Sequence, residues 1–132
     1  MSLSPLRLFV VIASLIALPS AAWAQEISGR WSSDFGPIEI RWDESNQNFA
    51  GSYSYKGLPA EMHGGLDAET GVWEGYWIQE TSEVACNTTR DGSPYWGRFR
   101  LLFKGDRFLG LWNYCDRRLV NDKRRRWTGN RQ

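Results

Sequence analysis

Six aromatic residues, Trp31, Tyr53, Tyr55, Trp77, Tyr95 and Trp112, are distributed along the chain and are the side chains best suited to gripping a ligand. Each ring offers a broad apolar face, and Trp and Tyr add a polar tip that can orient a bound sugar or aromatic group. A second set carries charge: Arg117, Arg118, Lys123, Arg124, Arg125 and Arg126 form a basic cluster near the C-terminal end. Such a cluster suits an anionic partner, an envelope polymer such as lipopolysaccharide included, although a charge run also serves as a plain solvated face. The residues of covalent chemistry are sparse. His63 is the only histidine, and no residue near it sits on the strained turn that presents a nucleophile. Fifteen acidic residues permit carboxylate pairs, but none lies in a recognisable glycosidase context. Two isolated cysteines and one histidine lack C-x-x-C or H-x-x-H spacing, so no metal site is expected. No phosphate loop or other cofactor motif is present, and Gly64-Gly65 belongs to a strand. Catalysis is therefore not the expected role.

The elements that position these residues begin after a leader. Arg7 supplies a positive start, Leu8 to Leu18 is an apolar run, Pro19-Ser20 breaks it, and Ala22-Trp23-Ala24 is an A-x-A cleavage pattern. The run is too short to span a bilayer, which takes about 20 residues. Residues 1–24 therefore read as a signal peptide cut after Ala24. That makes the protein periplasmic or secreted and leaves residues 25–132 as one domain with no membrane span. In an oxidising compartment Cys86 and Cys115 are expected to pair. The leader looks bacterial, which discounts Asn87-Thr88-Thr89 as a glycosylation site.

A short repeat then organises the domain: a large apolar residue, any residue, glycine, any residue, and usually an aromatic. It runs Ile27-x-Gly29-x-Trp31, Phe49-x-Gly51-x-Tyr53, Met62-x-Gly64-x-Leu66 and Trp73-x-Gly75-x-Trp77. It continues as Tyr95-x-Gly97-x-Phe99 and Phe108-x-Gly110-x-Trp112, and ends with Trp127-x-Gly129-x-Arg131. A period of two places the marked residues on one face of a strand. One further strand, with Ile38, Ile40 and Trp42 on one side, alternates without a glycine. The predicted strands are about 27–33, 37–42, 48–55, 58–66, 71–79, 94–104, 107–114 and 124–131. Gly105-Asp106 forms a two-residue hairpin that sets Phe103 against Phe108 and Leu102 against Leu109. Residues 115–122 read as a loop. Eight sequential strands with mostly short links predict an all-β, antiparallel up-and-down meander that closes into a barrel, strand eight onto strand one. In such a barrel the long loops 80–93 and 115–123 lie at the same rim. They carry Cys86 and Cys115, so the disulfide forms without distortion and stabilises by about 3 kcal/mol through loop entropy.

An eight-stranded barrel is just wide enough for its own side chains or for one small ligand. Trp31, Trp42, Trp73, Trp77, Trp112 and Trp127 all take the inward phase, and the repeat glycines are expected to give them room. A packed core is the preferred reading, with a ligand platform beside it. Trp96 takes the outward phase near the loop-bearing rim.

The segment Gly29-Arg30-Trp31, Gly36 and Gly51-Ser52-Tyr53 resembles the G-x-W…G…G-x-Y pattern that opens avidin and streptavidin, and lipocalins share the G-x-W. The resemblance covers about 30 residues and implies the eight-stranded barrel. It does not extend to biotin. Ser33 and Pro37 stand where that family has an Asn and a Ser, Tyr55 replaces a second Ser, and the late Asp has no counterpart.

Two surface features complete the reading. Residues 25–94 hold 4 basic and 12 acidic residues while 95–132 hold 11 and 3, so the mature chain is neutral but strongly dipolar, and no nucleic-acid partner is expected. Tyr76, Ile78, Leu102, Leu109 and Leu111 take the outward phase on strands five to seven and are expected to form one apolar patch, suited to a homo-oligomer or a protein partner. The expectation is a non-catalytic exported binding barrel, of inhibitor or envelope-interaction type, with a protein or envelope polymer as partner rather than a small molecule. A lipocalin- or avidin-like carrier of a hydrophobic or aromatic ligand is the alternative, and a carboxylate hydrolase the third. An internal cavity of about 300 Å³ or more separates the second from the first.

Overall fold

The computed structural model describes residues 20–132, so the n-region and apolar run of the expected signal peptide lie outside the described residues. Eight strands follow one another around a closed antiparallel barrel in chain order. They are β1 (Gly29–Ser33), β2 (Ile38–Asp43), β3 (Asn48–Tyr55), β4 (Leu58–Asp67), β5 (Val72–Gln79), β6 (Tyr95–Lys104), β7 (Arg107–Tyr114) and β8 (Arg126–Arg131). Strand β8 pairs with β1 through Trp31 opposite Arg131 and Ser33 opposite Gly129, which leaves no free edge. The up-and-down order puts the ends of β1, β3, β5 and β7 at one rim, the open end, with both long loops. The opposite rim, the closed end, carries the short turns. The hairpin at Gly105-Asp106 has the expected register, Phe103 against Phe108 and Leu102 against Leu109.

Helical structure exceeds the sequence expectation at two places. Helix α1 (Ser20–Ile27) takes in Ile27, the first residue of the predicted first strand, and runs across the expected cleavage point. Its Trp23 indole donates to the Ala68 carbonyl at 3.1 Å at the closed end. A 3-10 turn at Lys123–Arg125 takes the place of the first residues of the predicted eighth strand. Among the described residues no helix is long and apolar enough to cross a membrane.

The inward alternation holds around the barrel. Trp31, Phe49, Trp73, Phe99 and Phe108 are among the largest fully buried side chains, with Ile38, Ile40, Met62 and Leu101 between them. Their rings meet edge to face, as at Trp31–Phe103 (75°) and Trp73–Phe99 (66°), which suits the ring quadrupoles. The glycines divide by role. A Cβ at Gly97 would run into the Trp77 ring and one at Gly129 into the Phe108 ring, so these two give tryptophan and phenylalanine their space. Gly64 and Gly75 instead face each other across β4 and β5, where a side chain would meet the opposing backbone. Gly29 corrects the expectation: it is exposed, and its φ of +122° marks the turn out of α1.

Cys86 and Cys115 are bonded and join loop 80–93 to the end of β7. Loop 80–93 folds down over the outer wall. There Trp96 points outward from the barrel, as expected, yet is buried: its indole donates to the Thr88 carbonyl at 2.8 Å, and the Arg90 guanidinium covers the neighbouring Tyr76 ring at 3.2 Å.

The apolar patch expected over β5 to β7 is not continuous. The register places Glu74 opposite Arg100, with a 2.9 Å ion pair, between Val72–Leu102 on one side and Tyr76–Ile78 on the other. Tyr76 lies beneath Arg90, Ile78 stands beside Trp96, and Leu102 and Leu111 are half-buried. Only Leu109 of the five is fully presented to solvent, at 52 % exposure. Sequence alternation identifies the outer face, but strand register decides which outer residues touch.

Candidate functional site

Three odd-numbered strands end at the open rim with two inward residues each, and these six side chains make the walls of a cup. Strand β3 supplies Tyr53 and Tyr55, β5 supplies Trp77 and Gln79, and β7 supplies Trp112 and Tyr114. Trp127 at the start of β8 and Phe35 in the turn after β1 fill the gaps, Ser82 and Glu83 descend from loop 80–93, and Arg125 enters from the 3-10 turn. The cavity they enclose is about 260 Å³ and opens at the rim. It is a pocket above a packed barrel, not a channel through it.

The aromatic walls meet nearly at right angles: Trp77–Trp112 at 75°, Trp112–Tyr114 at 85°, Phe35–Trp112 at 86°. This locks the rings while leaving ring faces and edges toward the cavity. At the base the Gln79 amide donates to the Tyr53 hydroxyl at 2.7 Å, which leaves the Tyr53 proton free to donate. Burial pushes the Tyr53 phenol well above its ordinary value, against the pull of that hydrogen bond. Tyr114 is shifted the same way, by burial first and by Glu83 second. Both phenols are neutral donors at physiological pH.

Two polar atoms in the walls are unmatched. The indole nitrogens of Trp77 and Trp112 are buried and have no hydrogen-bond partner among the described residues. Other buried indoles are served: Trp31 donates to the Ile27 carbonyl at 2.8 Å and Trp73 to the Gly64 carbonyl at 2.9 Å toward the closed end, and within the cup itself Trp127 donates to the Ser33 hydroxyl at 3.1 Å. A buried donor without a partner costs about 1–3 kcal/mol, and two in one pocket call for an explanation.

Of the six aromatic candidates read from the sequence, Tyr53, Tyr55, Trp77 and Trp112 come together in the cup. Trp31 does not: it sits at the closed end against Phe103 and Phe108. Tyr95 shares the inward phase opposite Gln79 but does not line the cavity. Tyr114 and Gln79 were legible, because each continues its strand's alternation two residues past a tryptophan. Phe35, Ser82 and Glu83 were not, since turns and loops carry no period.

The basic cluster is dispersed. Arg125 turns inward over Trp112 at 4.9 Å and Tyr114 at 5.1 Å. Arg124 pairs with Asp122 at 3.3 Å, Arg126 donates to Asn121 at 3.2 Å, and Arg117, Arg118 and Lys123 are exposed outside the cup. The buried Asn113 amide donates to the Arg118 carbonyl at 2.8 Å and so holds the loop that leads to Arg125. His63 lies on the outer wall beside Glu61 at 2.9 Å, far from a nucleophile, and both cysteines are consumed in the disulfide. Among the described residues no group of three or more His, Cys, Asp and Glu side chains could hold a metal ion. The chain matches no protein-family model, no curated protein and no solved structure.

Proposed function

We propose that this chain is an exported, non-catalytic binding protein whose site is the aromatic cup at the open end of the barrel, and that the cup takes a small molecule. The observation that carries this reading is the pair of unmatched indole N–H groups, Trp77 and Trp112, in the walls of a 260 Å³ cavity. A purely structural core would satisfy them, as the closed end satisfies Trp31 and Trp73. The volume falls slightly below that of ordinary drug-sized sites, so the guest is small, on the order of one or two fused rings. The cavity falls short of the roughly 300 Å³ set for a carrier site, so the preference for the carrier reading over a protein or envelope-polymer partner on the outer face rests on the unmatched indoles and not on volume. For that alternative the surface offers three scattered exposed apolar residues, Leu58, Leu109 and Val120, and an interrupted stripe.

Indole N–H resonances test the proposal directly. A library of small aromatic compounds and sugars is titrated into the mature protein while the tryptophan side-chain signals are followed. Binders should move the Trp77 and Trp112 N–H signals and leave those of Trp31 and Trp73 in place. Binders that move only outer-wall signals, or a library without a single binder, would overturn the cup as the site.

A further inference from the structure

We infer that the cup selects an aromatic monoanion, an aryl carboxylate in the simplest case, with Arg125 as the residue that receives the negative charge. The inference rests on the cup being a ligand site and adds the chemistry of the ligand.

The cavity lining combines several donors with the neutral side chains of Gln79 and Ser82, which can also accept. Its walls hold the two unmatched indole N–H groups, the Tyr53 and Tyr114 hydroxyls in their neutral form, and the Arg125 guanidinium. The single carboxylate is Glu83, which is exposed at the lip. Arg125 is half-buried and stacked on Trp112 and Tyr114, yet no carboxylate lies within ion-pair distance of it among the described residues. Its one side-chain hydrogen bond runs to the Arg124 carbonyl at a long 3.4 Å. A stacked guanidinium is weakly hydrated and presents a planar fork matched to a carboxylate.

Arg131 provides an internal control. It lies over Trp31 at 4.5 Å, at the other end of the same alternation Arg125, Trp127, Gly129, Arg131. That guanidinium is occupied: it donates to the Ser28 carbonyl at 2.9 Å and faces Asp106 at 3.5 Å. At the closed end the stacked arginine is bound by the protein's own acceptors, whereas its counterpart at the cup is left without them; Arg90, stacked on Tyr76 and Trp96 of the outer wall, likewise keeps a buried Nε without a partner.

Arg125 also argues against the opposite charge. Aromatic boxes commonly hold cations through the ring faces. Here a guanidinium already lies over two of the rings, so a cationic guest would meet like charge. The right-angled rings instead accept a flat aromatic body, and the anionic group emerges at the mouth beside Arg125.

The test is a matched series on the mature protein: 2-naphthoate, 2-naphthamide and 2-naphthylmethylammonium, measured by calorimetry and by the indole N–H signals. The naphthoate should bind about 30-fold more tightly than the amide, as for one charge-assisted bond in a partly dry site, and the ammonium should bind weakest. Arg125→Gln should erase the anion preference while changing amide affinity less than about 3-fold, and Arg107→Gln at the other rim should change neither. Glu83→Gln should tighten naphthoate about 2-fold by removing a repulsive charge at an exposed position. Equal affinity for all three probes would overturn the anion assignment and leave the cup standing as a site, and so would an ammonium that binds best. The wild-type series decides this even where a variant folds poorly. No binding of any probe and no movement of Trp77 or Trp112 would sink both the ligand class and the site.

Discussion

The two ends of the barrel are built from the same parts and finished differently. Each has tryptophans facing inward, an arginine laid over one of them, and a loop or helix crossing the rim. At the closed end Trp31 and Trp73 have carbonyl partners, Arg131 is held by Ser28 and Asp106, and Ile27 at the end of α1 is fully buried. At the open end Trp77 and Trp112 lack partners, Arg125 lacks a counter-charge, and a cavity stands between them. The difference runs along one short axis: at one end the buried polar groups are satisfied by the barrel itself, and at the other two indoles and an arginine are left without partners beside a cavity.

Substitutions of matched chemistry at the two ends give the sharpest probe of that division. Trp31→Ala should cost about 3–5 kcal/mol in chemical denaturation, because its ring is enclosed on all sides and its indole bond is lost. Trp112→Ala should cost about half as much, since that ring already borders open space. Equal costs would show that the open end is packed as tightly as the closed one.

Removing the disulfide by Cys86→Ser with Cys115→Ser should lower stability by about 3 kcal/mol. Amide exchange is the readout. Exchange through global unfolding should speed throughout the barrel, with an additional local increase around loop 80–93 and β7.

The arginines test the comparison more finely. Arg131→Met should destabilise by about 1 kcal/mol, as it abandons the Ser28 carbonyl, while Arg125→Met should stay within about 0.5 kcal/mol and alter only binding. The reverse order would mean that Arg125 is a structural strut.

Alkaline titration gives the smallest and most local effect. Burial raises the Tyr53 phenol in the folded state, whereas unfolding returns it to an ordinary value near 10. Its contribution to stability is therefore complete below about pH 10 and is lost as the pH climbs toward the folded-state value. Tyr114 follows the same sign. Ultraviolet titration should show Tyr53 ionising last among the five tyrosines, and Gln79→Leu should delay it further by removing the one interaction that lowers it.

Much of the barrel was legible because a glycine-centred period of two is a strong local signal. The order of strands, the inward tryptophans and the disulfide all follow from it. The site was legible in part. Tyr53, Tyr55, Trp77 and Trp112 obey the alternation, but so do Trp31 and Tyr95, and alternation cannot say which end of a strand borders empty space. The outer stripe failed for a related reason. Tyr76 and Leu102 share a face, yet the Glu74–Arg100 pair lies between them, and only the pairing register of β5 with β6 reveals it. The cover over Trp96 and the descent of Glu83 into the cup depend on loop 80–93, where no repeat constrains the path.

Helix α1 brings maturation into the picture. Trp23 hydrogen-bonds Ala68 and rests against Gly71, yet it stands before the expected cut after Ala24. A precursor would therefore carry a plug at its closed end that the processed protein no longer has. Processing would bare the slot over Gly71 and remove one of eight tryptophans, so intrinsic fluorescence alone would distinguish the two forms. The leader would then leave a physical trace of its removal in the turn between β4 and β5.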